Sequence, residues 1–156
     1  AQLDRFLLKL KVGYPTPDQE QAILEKFNAG FDSNDLDRAG VREVLTGSDI
    51  EEARAAIVDL QVVEGILRYI RELVAETRTS PSLVLGGGPR ASIFLLLASK
   101  VLAALRGRDY VTPDDVKEMA YPVLAHRLIL DPEMEIDGVS PEEVLDGIFE
   151  RVEVPR

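Results

Sequence analysis

Leu85-Gly-Gly-Gly-Pro-Arg-Ala-Ser-Ile-Phe-Leu-Leu-Leu-Ala-Ser-Lys100, continued as far as Gly107-Arg-Asp-Tyr-Val-Thr-Pro-Asp-Asp-Val116, decides the fold. Ile93, Leu96, Leu97, Val101, Ala104 and Leu105 recur at i, i+3 and i+4 spacing, which predicts a helix from Pro89 to about Arg106. Phe94, Leu95, Ala98 and Leu102 supply a second apolar face. A helix that is apolar on two faces needs other helices around it, so this one is expected to be the centre of a helical domain.

Its beginning differs from other helix starts in the chain. Thr16-Pro17-Asp18, Thr112-Pro113-Asp114 and Ser140-Pro141-Glu142 each offer a hydroxyl cap, a proline at the first helical position and acids in the first turn. Those acids compensate the positive end of the helix dipole. Gly88-Pro89-Arg90 keeps the proline, but it has glycine for a cap and a cation where the others carry carboxylates. Such a mismatch costs about 0.3–1 kcal/mol at an exposed end. Two readings stand side by side. Arg90 either pairs with a carboxylate of this acidic chain or extends into water, or it meets an anion, most naturally phosphate, beyond the helix end. Gly86-Gly87-Gly88 does not decide between them, because a P-loop continues Gly-Lys-Ser/Thr and this segment continues Pro-Arg-Ala.

The chain has 156 residues, 46% of them hydrophobic and 29% charged, enough for one globular domain with a core. A net charge of −10 repels nucleic acid and anionic membrane surfaces, and no basic patch counters it, so no nucleic-acid partner is expected. Without cysteine there are neither disulfides nor thiolate metal sites, and His126, the only histidine, is read as structural. Asp131-Pro-Glu133-Met-Glu135-Ile-Asp137 echoes a calcium loop but has Ile136 where glycine is required, so no metal site is assigned and a short extended segment is expected. The longest apolar run, 93–98, is too short to span a bilayer, no signal-peptide pattern is read at the start, and a cytoplasmic location is expected.

Leu7–Val12 alternates partly and stops at Gly13-Tyr14-Pro15, which predicts a short strand whose partners would lie upstream of Ala1. The opening residues carry no helix cap and read as the inside of an element, so the chain is expected to be part of a longer polypeptide. Thr16 to Asn28 is predicted to be a helix with Ala22, Ile23, Lys26 and Phe27 facing inward. A loop with a short extended piece follows to Thr46. Ser48 and Glu51 suggest a capping box for a helix to about Leu60. Val63, Ile66, Leu67, Ile70, Leu73 and Val74 form the predicted buried stripe of a helix over 62–77. Further helices are expected over 112–126 and 140–152.

Ala1-Gln-Leu-Asp-Arg-Phe6, Glu72-Leu-Val-Ala-Glu-Thr-Arg78, Gly88-Pro-Arg-Ala91, Gly107 to Val116 and Val123-Leu-Ala-His-Arg127 together resemble the MoxR family of AAA+ ATPases, in the family's order and over nearly the whole chain. The resemblance implies a mainly α fold: a helical bundle, the AAA+ lid domain, over 49–156, a linker helix and loop over 16–48, and the end of the α/β ATPase core, with its leftover strand, over 1–15. It implies that Arg5 is an arginine finger acting in trans on a neighbour's nucleotide. Arg90 would be the sensor 2 arginine, contacting nucleotide in cis or in trans. Gly88 departs from the serine that the family often has there. The implied cofactors are ATP and Mg2+, bound mainly by an upstream core with the Walker A and B segments. The isolated fragment is then expected to be inactive. The implied partners are a homo-hexamer and proteins with a von Willebrand factor A domain, in chaperone-like remodelling or maturation. A stand-alone, histone-like interaction module is the competing reading, since Arg108 to Val116 also resembles the start of a histone-fold terminal helix.

Overall fold

The computed structural model of the chain describes residues 3–35 and 37–155. Packing divides it into two compact units, Ala1–Leu10 joined to Ala55–Arg156, and Lys11–Arg54.

The larger unit is a helical bundle. Helix α3 (Glu64–Thr79) buries Ile66, Tyr69, Ile70, Leu73, Val74 and Thr77 on one face. Val63 and Leu67, both expected in that stripe, are exposed. A short antiparallel pair, β1 (Leu83–Leu85) with β2 (Ile129–Leu130), sets Leu83 opposite Leu130 and Leu85 opposite Ile129. Helix α4 (Pro89–Leu105) packs mainly against α5 (Pro113–Leu124) and next against α3. The short helix α6 (Pro132–Ile136) and then α7 (Pro141–Arg151) complete the unit, and α7 adds Val144, Leu145 and Ile148 to the core.

Helix α4 is central, but only part of the two apolar faces expected to be covered is buried. Ala91, Leu95, Ala98, Ser99 and Ala103 are buried, whereas Ile93, Leu97, Val101 and Leu105 are exposed. Small side chains let a neighbouring helix approach closely, so the face that reads as less apolar is the one that packs. Residues 131–137, expected to be extended, instead form α6, N-capped by Asp131, whose side chain accepts the Glu133 N–H.

Leu3–Arg5 is a single 3-10 turn, and the strand expected over 7–12 does not form. One backbone bond, from Lys9 N to Pro122 O (2.9 Å), ties that segment to the bundle. Alternation alone cannot make a strand where no second strand lies alongside to take its N–H and C=O groups.

In the smaller unit, α1 (Pro17–Asn28) begins at a Thr16–Gln19 capping box. None of its residues is buried, so the inward face expected at Ile23 and Phe27 is open; Phe27 makes an edge-to-face contact with Phe31 (5.4 Å). Residues 41–45 carry no strand. Helix α2 (Gly47–Val58) begins in this unit, but its cap is Thr46 and not Ser48: Thr46 N donates to Asp49 Oδ2 (2.6 Å) and Asp49 N donates to Thr46 Oγ1 (3.3 Å). Asp49 satisfies the same reciprocal pattern as glutamate two residues earlier than the predicted box.

Candidate functional site

The entry to α4 is built from the end of α3. Thr77 is fully buried; its hydroxyl donates to Val74 O (2.6 Å) and accepts the Gly87 N–H (2.9 Å). A Cβ on Gly86 would stand 2.4 Å from Thr77 O, so the chain can pass the end of α3 only as glycine. Gly88 has open space around it and an ordinary extended φ of −80°, yet as N-cap of α4 it offers no side-chain acceptor. No acid lies in the first turn. By contrast, α1, α5 and α7 all carry complete capping boxes. The α4 start therefore has neither a cap nor an acid of its own to offset its positive dipole, and it carries Arg90.

Arg90 is half exposed, and its Nη1 lies 3.5 Å from Asp4 Oδ2. Asp4 Oδ1 accepts from Arg127 Nε at 3.2 Å. The Arg127 guanidinium is buried, at 2% side-chain exposure, and its other donors are spent on backbone carbonyls. Its Nη2 reaches Asp4 O (2.9 Å) and Phe6 O (2.5 Å), and its Nη1 reaches Leu7 O (3.4 Å) and Val123 O. It also lies over the Phe94 ring of α4 at 5.0 Å. One guanidinium thus joins the N-terminal segment, the end of α5 and the first turns of α4. Burial pushes its pKa down, opposed by the Asp4 hydrogen bond, and the Arg90 charge nearby adds to the lowering.

His126 packs into the same cluster. Its Nε2 lies 3.1 Å from Phe6 O, to which only a protonated Nε2 can donate, and 2.9 Å from Arg127 Nη1, from which only an unprotonated Nε2 can accept, so one tautomer serves one of the two. Burial, aided by the Arg127 charge, lowers its pKa and favours the neutral ring. A cleft of about 690 Å³ opens beside this cluster, lined among others by Leu3, Asp4, Gly86, Gly88 and Arg127. Arg5 is exposed and stacks over Phe6 at 5.2 Å. The adjacent carboxylate, Asp4, is engaged by Arg90 and Arg127.

Arg127 and Asp4 were the residues that sequence reasoning missed. Arg127 closes the quoted Val-Leu-Ala-His-Arg motif, but periodicity gives no sign that a guanidinium will be buried. The other charged cluster is structural. Asp115, fully buried at the start of α5, accepts from Arg108 through both oxygens (2.7 and 2.6 Å), from Arg106 (3.2 Å) and from Thr112 N (2.8 Å). Among the described residues no group of His, Cys, Asp or Glu is arranged to hold a metal ion. Likewise, no helix among them is long and apolar enough to cross a membrane.

The bundle entered through this glycine turn is a lid of the AAA+ class, since residues 75–148 match the AAA lid domain family. The wider comparisons narrow this. The chain is 40% identical to Protein MoxR of Methylorubrum extorquens, covering 99% of this chain and 50% of that one. It is 32% identical to Chaperone MoxR1 of Mycobacterium tuberculosis, over 100% of this chain and 42% of that one. The crystal structure of a candidate ATPase from Cytophaga hutchinsonii superposes with a TM-score of 0.84 at 30% identity, over 99% of this chain and 48% of that one. The chain belongs to the MoxR family and carries its lid region. It spans about half the length of the curated relatives it matches.

Proposed function

We propose that this chain is the nucleotide-sensing lid of a ring-forming MoxR-type AAA+ ATPase that couples ATP hydrolysis to remodelling or maturation of partner proteins. In this reading residues 1–15 end the ATPase core, and the Walker A and Walker B segments, which hold ATP and Mg2+, lie in the other half of the full-length protein. The isolated chain, without that cradle, turns over no ATP. The ring is a cytoplasmic homo-hexamer, and its partners include proteins with a von Willebrand factor A domain.

One observation carries the reading: among the described residues, Arg90, half exposed, sits on the one long helix start that has neither a side-chain cap nor an acid. A phosphate there would meet a helix dipole and a guanidinium together. As sensor 2, Arg90 binds phosphate oxygens in a fork and stays charged while charge spreads over the transferring phosphoryl group. Arg5, exposed and free of Asp4, suits a finger that reaches a neighbouring subunit's nucleotide.

The test is ATP turnover by the full-length protein carrying Arg90→Ala or Arg5→Ala. Both variants are expected to lose roughly 10²-fold or more in kcat, within reach of the effect of removing such arginines elsewhere. Mixing Arg5→Ala with a Walker-defective subunit separates trans from cis action: only a finger working in trans leaves mixed rings with active interfaces. Unchanged turnover in both single variants would overturn the assignment.

A further inference from the structure

We infer that Asp4 is a positioning residue that competes with nucleotide phosphate for Arg90 and thereby sets the affinity of the site. The inference rests on the sensor 2 reading of Arg90 given above. Three features of the structure lead to it. Asp4 divides its carboxylate, Oδ1 to Arg127 (3.2 Å) and Oδ2 to Arg90 (3.5 Å), so it cannot follow Arg90 without loosening Arg127. Arg127 is not free to move, since it is buried and spends its remaining donors on carbonyls of residues 4, 6, 7 and 123. Arg90 is the less constrained member, half exposed and in contact with Asp4 only at 3.5 Å. Asp4 is therefore a fixed anion and Arg90 a cation tethered to it.

A phosphate approaching the α4 start would compete with that anion for the same guanidinium. The two anions would also repel each other across a few ångströms, partly screened by water. Binding of phosphate and release of Asp4 are thus linked, with no group transferred and no bond broken beyond the ion pair. Asp4 directly precedes Arg5, so the carboxylate that holds Arg90 also stands beside the proposed finger. The same residue then links the lid's arginine to the one that serves the neighbouring subunit.

The experiment uses the full-length protein and a non-hydrolysable ATP analogue, with AMP as the probe lacking the outer phosphates. Asp4→Asn, which keeps the shape and removes the charge, is expected to tighten the analogue's Kd roughly two- to fivefold, the range for losing a half-exposed ion pair. Its AMP affinity should not change. In an Arg90→Gln background the same Asp4→Asn substitution should have no effect, because the competition has lost its object. Asp4→Glu should restore the unaltered affinity. In the unaltered protein, the 13C carboxyl resonance of Asp4 should shift on adding the analogue and stay in place with AMP; this readout serves even if Asp4→Asn does not fold. Unchanged or weaker analogue binding by folded Asp4→Asn, an effect that persists without Arg90, or a still carboxyl resonance would each overturn the inference. If Arg90→Gln alone leaves binding and turnover intact, it is the sensor 2 reading that fails instead.

Discussion

Asp115 shows what a single buried charge does for this fold. Burial alone would raise its pKa, but hydrogen bonds from Arg108 and Thr112, together with the Arg108 charge, hold it well below the usual carboxylate range. A group whose pKa is lower folded than unfolded stabilises the native state above its unfolded value, and that stabilisation fades as pH falls. The melting temperature should therefore drop as pH is lowered through about 4, the unfolded aspartate value, and continue to drop below it. Asp115→Ala should flatten that acid limb and, at pH 7, cost about 2–3 kcal/mol in chemical denaturation, less than for a fully enclosed pair because Arg106 and Arg108 reach water. A variant that kept the full acid dependence would show that another carboxylate is responsible. In the sequence, Thr112-Pro-Asp-Asp115 already spells out the helix start, with its acids read as compensating the helix dipole. That Asp115 is also the centre of an ion cluster was not visible, because Arg106 and Arg108 belong to a different element. The same blindness hid Arg127, whose partners in the N-terminal segment lie some 120 residues away along the chain.

At the scale of elements, the three neighbouring glycines before α4 have separate jobs, and substitution distinguishes them. Gly86→Ala would press a methyl group against the backbone of Thr77 at 2.4 Å, where nothing flexible can yield, and should cost about 1–3 kcal/mol by overpacking. Gly88→Ser enters open space at a φ that any residue adopts, supplies the missing cap, and should add a few tenths of a kcal/mol. Thermal or urea denaturation of the two variants reads both signs; equal destabilisation would mean that the turn, not the contact with α3, sets the need for glycine. Local chemistry made the helix starts at Thr16, Thr112 and Ser140 legible, since proline, hydroxyl and acid all act within one turn. What depended on a distant partner was not legible. The segment 7–12 has the alternation of a strand and no strand beside it, and α4 has two apolar faces between which only the shape of its neighbours decides. The abnormal α4 start was legible for the first of these reasons, because a missing cap and a misplaced cation are both local facts.

For the molecule as a whole, the core does not use up the apolar surface that the chain carries. Along α4, Ile93, Leu97, Val101 and Leu105 form an i+4 stripe with exposures of 57, 45, 38 and 80%. Within the other unit, Ile23, Leu24 and Phe27 of α1 are open as well. Contiguous apolar surface of this kind drives association in water, while a net charge of −10 opposes it. The charge acts through solvent and is screened beyond about 8 Å at physiological salt, whereas the apolar attraction is not weakened by salt. The isolated 156-residue chain should therefore self-associate as its concentration rises, and more readily in salt than without it. Replacing Leu97 with Glu and Val101 with Lys sets an i, i+4 ion pair on the stripe and removes its middle, so sedimentation should then report a monomer over the same range. Because both side chains already face solvent, stability should stay within about 0.5 kcal/mol of the parent. If that double variant unfolds, the stripe is covered in solution by another part of the chain. If the parent is monomeric at every concentration in salt, the surface is too weakly apolar to drive assembly alone.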